Sequence, residues 1–166
     1  GTLNQYVHIW SYADHAERDR LRGELMRNEA WTKEYVPQIR PLIIAQENKI
    51  LSAVVPFKPP ATSGNVYELR TYRAQMGKAG EWLGHYKEIL PTREKYSPNV
   101  GLWQTQMGQL NEVVHLWVYP DLNPRAAPRA KVMEDTAWQG FLRKTTQLLA
   151  EMKSQILIPT PASPIR

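Results

Sequence analysis

The chain has 166 residues and a mass of 19.2 kDa, with 42% hydrophobic and 22% charged residues, 13 prolines and no cysteine. That apolar share excludes wholesale disorder, the lack of cysteine excludes disulfides and thiolate metal centres, and no apolar run reaches the roughly 18–20 residues that cross a bilayer as a helix. The net charge of +5 comes from 21 Lys+Arg against 16 Asp+Glu, interleaved along the chain instead of forming a basic stripe, which argues against nucleic-acid binding.

Internal similarity organises everything that follows. Residues 1–45 align without a gap on residues 108–152 with 14 identities in 45 positions, where ordinary residue usage would give about three by chance. The matched pairs include Asn4 and Asn111, His8 and His115, Trp10 and Trp117, Tyr12 and Tyr119, Arg18 and Arg125, Arg22 and Arg129, and Trp31 and Trp138. After a slip of one residue, Ile50 and Leu51 meet Ile156 and Leu157, each pair leading into a proline-containing tail. Prolines and small polar residues from Pro56 to Gly64 suit an extended connector. The expected organisation is therefore the back half of a first repeat over 1–58, a linker over 59–64 and a complete second unit over 65–166. The first copy lacks the part matching residues 65–107, so a segment ahead of residue 1 is expected, and targeting signals cannot be judged.

Within the second unit, alternating β-branched and aromatic residues from Val66 to Tyr72 predict a strand. Ala79, Leu83, Tyr86 and Leu90 recur at helical spacing and predict a helix that Pro91 bends or stops. Residues 100–106 and 112–119 read as two strands joined by a hairpin at 108–111. Asn123 and Pro124 begin a second helical region, Asp135 caps a further helix running to 149, and residues 154–158 close as a fourth strand. The order β-α-β-β-α-β is the ferredoxin-like split arrangement, an α+β fold.

Several motifs in that order carry a family resemblance. Tyr67, Glu68, Leu69, Arg70 and Tyr72; Gly101, Leu102 and Trp103; Gly108 to Asn111; His115, Trp117 and Tyr119; Arg125, Arg129 and Trp138; and the tail from Ile156 to Pro159 with Ser163 and Pro164 together resemble the NIPSNAP family. The resemblance covers nearly all of 65–166, and its back half recurs over 1–58. It implies a place in the dimeric α/β-barrel group, in which ferredoxin-like repeats pack sheet to sheet around a cavity. It also implies self-association or intramolecular pairing of the two repeats. An interaction or scaffold role is the function it suggests; the compact linker and the lack of a long extension suit a bacterial-type cytoplasmic member.

Strand alternation then sorts side chains by face. Val114, Leu116 and Val118 are the expected helix-covered side, leaving His115, Trp117 and Tyr119 towards a second sheet. With Arg70 and Tyr72 from the first strand, and His8, Trp10 and Tyr12 from the other copy, these would line the barrel cavity; Trp103 is a further candidate whose side the hairpin register decides. Such a cavity would take a small aromatic or acidic ligand. An enzyme reading gives Arg70 an anionic or carbonyl oxygen to bind and His115 the role of general acid/base, as in a cofactor-free monooxygenase or isomerase. The competing reading is packing, with Arg70 paired to Glu68 and His115 satisfied by a neighbour. Arg18 and Arg22, and Arg125 and Arg129, each share one helix face; they are expected to meet Asp14 or Asp121 and Glu24 or Glu134 at the surface, with an anion site the alternative. The four histidines have no metal-ligand spacing, so neither a metal nor a cofactor is assigned.

Overall fold

The computed structural model describes residues 4–166; Gly1, Thr2 and Leu3, which open the repeat, lie outside the described residues. The chain divides into two compact units, 1–48 and 49–166.

The first unit is helical. Helix α1 (His15–Arg27) is capped by the Asp14 carboxylate, which accepts the Glu17 backbone N–H at 2.8 Å, while the Glu17 side chain accepts the Ala13 N–H at 2.6 Å. The first contact satisfies a donor left unpaired by the helix start, and the second ties the residue ahead of the cap back to the first turn. Asn28 ends α1, and its side chain accepts the Trp31 N–H at 2.9 Å to begin the next turn. That turn is π-helical over Ala30–Tyr35 and tightens through α2 (Val36–Ile39) into a 3-10 turn over Arg40–Leu42. None of the residues in these helices is buried. Residues 5–12, the counterpart of a strand in the other unit, belong to no helix and no sheet.

The second unit is a five-stranded antiparallel sheet in the order β1-β3-β4-β2-β5. Its strands are β1 (Ile50–Val55), β2 (Val66–Ala74), β3 (Asn99–Met107), β4 (Glu112–Tyr119) and β5 (Leu149–Leu157). Helix α3 (Ala79–Glu94) connects β2 to β3, and α4 (Ala126–Glu134) and α5 (Thr136–Thr145) connect β4 to β5. The expected ferredoxin-like order holds for β2 to β5. The sheet carries a fifth strand besides, because residues 50–55 pair with β3, Ser52 opposite Gln104 and Ala53 opposite Trp103.

Turn chemistry fixes the hairpin between β3 and β4. Asn111 takes φ 60 and Gly108 φ 114, left-handed values that asparagine and glycine accept at low steric cost. Asn4, the repeat counterpart of Asn111, takes φ 59.

Two element boundaries differ from the sequence reading. Helix α3 runs through Pro91 to Glu94; one lost backbone hydrogen bond is outweighed by the burial of Leu90 and Arg93 on either side. The helix capped by Asp135 stops at Thr145 and the last strand begins at Leu149, not residue 154. There the Thr145 and Thr146 hydroxyls donate back to the Phe141 and Leu142 carbonyls at 2.8 and 2.7 Å, and a nine-residue β2 offers pairing from Tyr67 to Ala74.

The faces of β4 are the reverse of the expectation. Tyr72, Val113, Trp117 and Tyr119 pack with Trp82, Tyr86 and Leu90 of α3 and Phe141 of α5, so the His115 face lies under the helices. Val118 and Leu116 share the opposite face with Tyr67, Val100 and the partly buried Leu69, Trp103, Leu157 and Ile165. All eight residues of β4 are buried; alternation separates two faces without saying which one the helices take, and here both are apolar enough to be covered. The helices carry aromatic rings, which suit the ring-bearing face.

Candidate functional site

Strand β2 places Glu68, Arg70 and Tyr72 on one face, opposite Trp117, His115 and Val113 of β4. On the other side of β2, the same face carries Ile156, Ser154 and Met152 of β5. At the centre stands Glu68, fully buried, with a carboxylate gripped from three directions. Arg125 donates through Nε at 3.0 Å and Nη2 at 2.7 Å, a two-pronged clasp from just before α4. Ser154 Oγ donates at 2.6 Å from β5. Arg129 Nη1 and Arg70 Nη1 each stand at 3.5 Å, as does the Tyr119 hydroxyl.

Burial by itself would raise the Glu68 pKa. The hydrogen bonds from Arg125 and Ser154, with the charges of Arg70 and Arg129, outweigh it and hold the group at about 2. Glu68 is therefore an anion around neutral pH, and three guanidiniums surround it.

His115 lies beside this group and is enclosed. Its Nδ1 accepts the Trp117 indole N–H at 2.7 Å and lies 3.2 Å from the Tyr86 hydroxyl. The Tyr72 ring meets it edge-on at 4.8 Å, and Nε2 is buried with no hydrogen-bond partner among the described residues. Burial, and after it the Arg70 charge, push its pKa well below the ordinary histidine value. Burial likewise raises Tyr86 and Tyr72. Arg93, itself buried, lies over the Trp117 ring at 4.4 Å and the Trp138 ring at 5.8 Å, holding its charge against aromatic faces.

These groups give the protein an acid-labile stability. Below pH 6.5 the unfolded chain protonates His115 while the folded one resists, so stability falls with pH, by up to about 1.4 kcal/mol per unit. Glu68 adds a second loss as pH drops from its ordinary value of 4.5 towards 2, because only the folded carboxylate stays charged there. Urea unfolding at pH 7.5 and 5.5 is expected to show a clear loss at the lower pH, and His115→Leu is expected to flatten that difference; an unchanged difference in the variant contradicts it.

Of the residues selected from sequence, the structure brings together Arg70, Tyr72, His115, Trp117 and Tyr119. Trp103 pairs with Val114 and packs with Leu116, on the other side of the sheet. Its ring lies over Gly101, where a Cβ would sit 2.2 Å from ring atoms, so glycine is what lets the indole fold flat there. His8, Trp10 and Tyr12 belong to the other unit, where His8 and Trp10 meet edge to face at 6.5 Å. Arg125 and Arg129 converge on Glu68 and not on Asp121 or Glu134, which corrects the surface-pair expectation. Their four-residue spacing signalled a shared face; the buried acid they face, 57 residues from Arg125 in sequence, had no local signal. Ser154 and Arg93 went unselected for the same reason.

A family model for NIPSNAP matches residues 1–58 and 67–164. The chain belongs to the NIPSNAP family. It is similar to human Protein NipSnap homolog 3A, 31% identical over 172 aligned positions that cover all of this chain and 68% of that protein. Against zebrafish Protein NipSnap homolog 1, at the same identity, this NIPSNAP chain spans 60% of the relative's length. The crystal structure of an uncharacterized NIPSNAP domain protein from Burkholderia xenovorans matches 60% of this chain and 98% of its own at 35% identity, with a TM-score of 0.57. Among the described residues no helix is long and apolar enough to cross a membrane, and no group of three or more His, Asp or Glu could hold a metal ion.

Proposed function

We propose that this NIPSNAP protein is an assembly scaffold: tandem ferredoxin-like repeats, 1–58 and 65–166 with the linker 59–64 between them, joined through one sheet whose free face closes against a second sheet as an α/β barrel. The observation that carries it is β1. Residues 50–55 fall within the leading repeat, 1–58, where Ile50 and Leu51 match Ile156 and Leu157, yet they pair along β3 in the sheet of the trailing repeat. A strand handed from one repeat to the sheet of another is how such modules join, because backbone hydrogen bonds serve any compatible edge. The two separate stretches matched by the family model accord with the repeat.

Residues 5–12 give further support. Their counterpart β4 is wholly buried, whereas Tyr6, Val7, Ile9 and Trp10 are exposed. A strand-like sequence with that much apolar surface suits pairing into a sheet. Enclosure of His115 by Tyr72, Tyr86 and Trp117 favours packing over proton transfer for that residue. The described residues form a single sheet, so the second one is that of another copy, meeting the face of Leu69, Trp103 and Leu157. Sedimentation equilibrium of the chain and its Leu157→Lys variant tests this. A dimer for the chain and a folded monomer for the variant are expected; a chain that stays monomeric throughout, or a variant that dimerises as well, contradicts the proposal.

A further inference from the structure

The Glu68 cluster carries more positive charge than its own acid can use. Arg70, Arg125 and Arg129 find no salt-bridge acceptor other than Glu68 among the described residues. Only Arg125 makes the close two-pronged contact. Arg129 and Arg70 stand back at 3.5 Å, and Arg70 Nε is buried without a hydrogen-bond partner among the described residues. An ion pair with three cations and one anion leaves two charges uncompensated.

The surroundings say what kind of group would compensate them. Side-chain exposures of 17%, 28% and 33% for Arg70, Arg125 and Arg129 leave these side chains partly open to solvent while shielding them from full hydration. Beside them, on the same face of the edge strand β5, Met152 and Ile156 are 59% and 41% exposed and flank Ser154. Tyr72 underlies Arg70, whose guanidinium carbon stands 5.1 Å from the ring centre.

We infer that this NIPSNAP chain binds a phosphate monoester with an apolar body, its phosphate seated between Arg70 and Arg129 and its apolar part lying along Met152 and Ile156 of β5. A phosphate monoester carries about −1.5 to −2 near neutral pH, which matches the two spare charges, and the planar forks of arginine suit its oxygens better than they suit a point charge. A carboxylate would cancel only half the excess. The inference is independent of the barrel: it concerns the helix-covered face, whereas barrel closure concerns the other one.

The test is calorimetric titration of the chain with octyl phosphate, octanoate, inorganic phosphate and octanol. Octyl phosphate is expected to bind most tightly, with octanoate and inorganic phosphate each weaker and octanol not binding. Arg129→Gln and Arg70→Gln should each weaken octyl phosphate about tenfold or more, the worth of one charge-assisted hydrogen bond, and Arg129→Lys should lose less. Arg129 is the most exposed of the three, so its variants should keep the thermal midpoint and near-ultraviolet circular dichroism of the parent. No binding of octyl phosphate, equal binding of octanol or octanoate, inorganic phosphate binding as tightly, or unchanged affinity in folded glutamine variants would each overturn the inference.

Discussion

Replacing Glu68 by alanine is expected to destabilise the second unit by about 3–5 kcal/mol, the cost of breaking a buried ion pair and leaving its partners uncompensated. The reason is an asymmetry. The intact group contributes little net stability, because burying charge costs nearly what pairing returns, whereas removing the acid leaves Arg70, Arg125 and Arg129 to repel one another in a poorly hydrated space. Ser154 Oγ also loses its acceptor. Glu68→Gln should fall between, since the amide oxygen still accepts from one donor but no longer offsets charge. Equilibrium urea unfolding followed by tryptophan fluorescence measures the difference. A loss below about 1 kcal/mol, the scale of an exposed pair, would contradict the assignment of Glu68 as the electrostatic centre of this face. The same loss should shrink as pH falls below 4.5, because the parent then begins to forfeit the contribution the variant never had.

The two parts of the structure were unequally legible. Local signals placed β2, α3, the Gly108 to Asn111 hairpin and the Asp135 cap, because each depends on residues within a few positions of one another. The Asp135 side chain accepts from the Ala137 and Trp138 N–H groups, as a cap should. Asn28 makes the equivalent bond to Trp31, so the repeat is visible in capping chemistry as well as in identities. What alternation could not supply was the sign of the faces. His115 looked like a polar residue excluded from a helix-covered core, but Trp117 two residues on, Tyr86 and the Tyr72 ring give it a polar niche inside one. Only Nδ1 of His115 finds partners in that niche, and such neighbours are a property of the fold that alternation along one strand does not encode.

The site divides along the same line. Arg70 and Tyr72 were legible because they share a strand with Glu68. Arg125, Arg129 and Ser154 reach Glu68 from 57, 61 and 86 residues away, so their meeting is a property of topology. The fifth strand was hidden for a related reason. By sequence, residues 50–55 belong to the leading repeat, and an edge strand records nothing in its own sequence about whose edge it joins. Within β1, Val54 and Val55 pack against the helix-side core of the second unit, which ties the strand there by side chains as well as by backbone.

That handed-over strand is the claim on which the scaffold reading stands, and the absence of cysteine makes a direct measurement available. Ser52 and Gln104 face each other across β1 and β3, and directly opposed antiparallel residues have Cα atoms about 4.5–5.5 Å apart, within the range a disulfide spans. Under mild oxidation, the Ser52→Cys, Gln104→Cys double variant should form an intrachain disulfide nearly completely, with circular dichroism unchanged and the two thiols recovered on reduction. Thiols that stay free under oxidant, or links that form only between chains, would contradict the pairing of β1 with β3 within one chain.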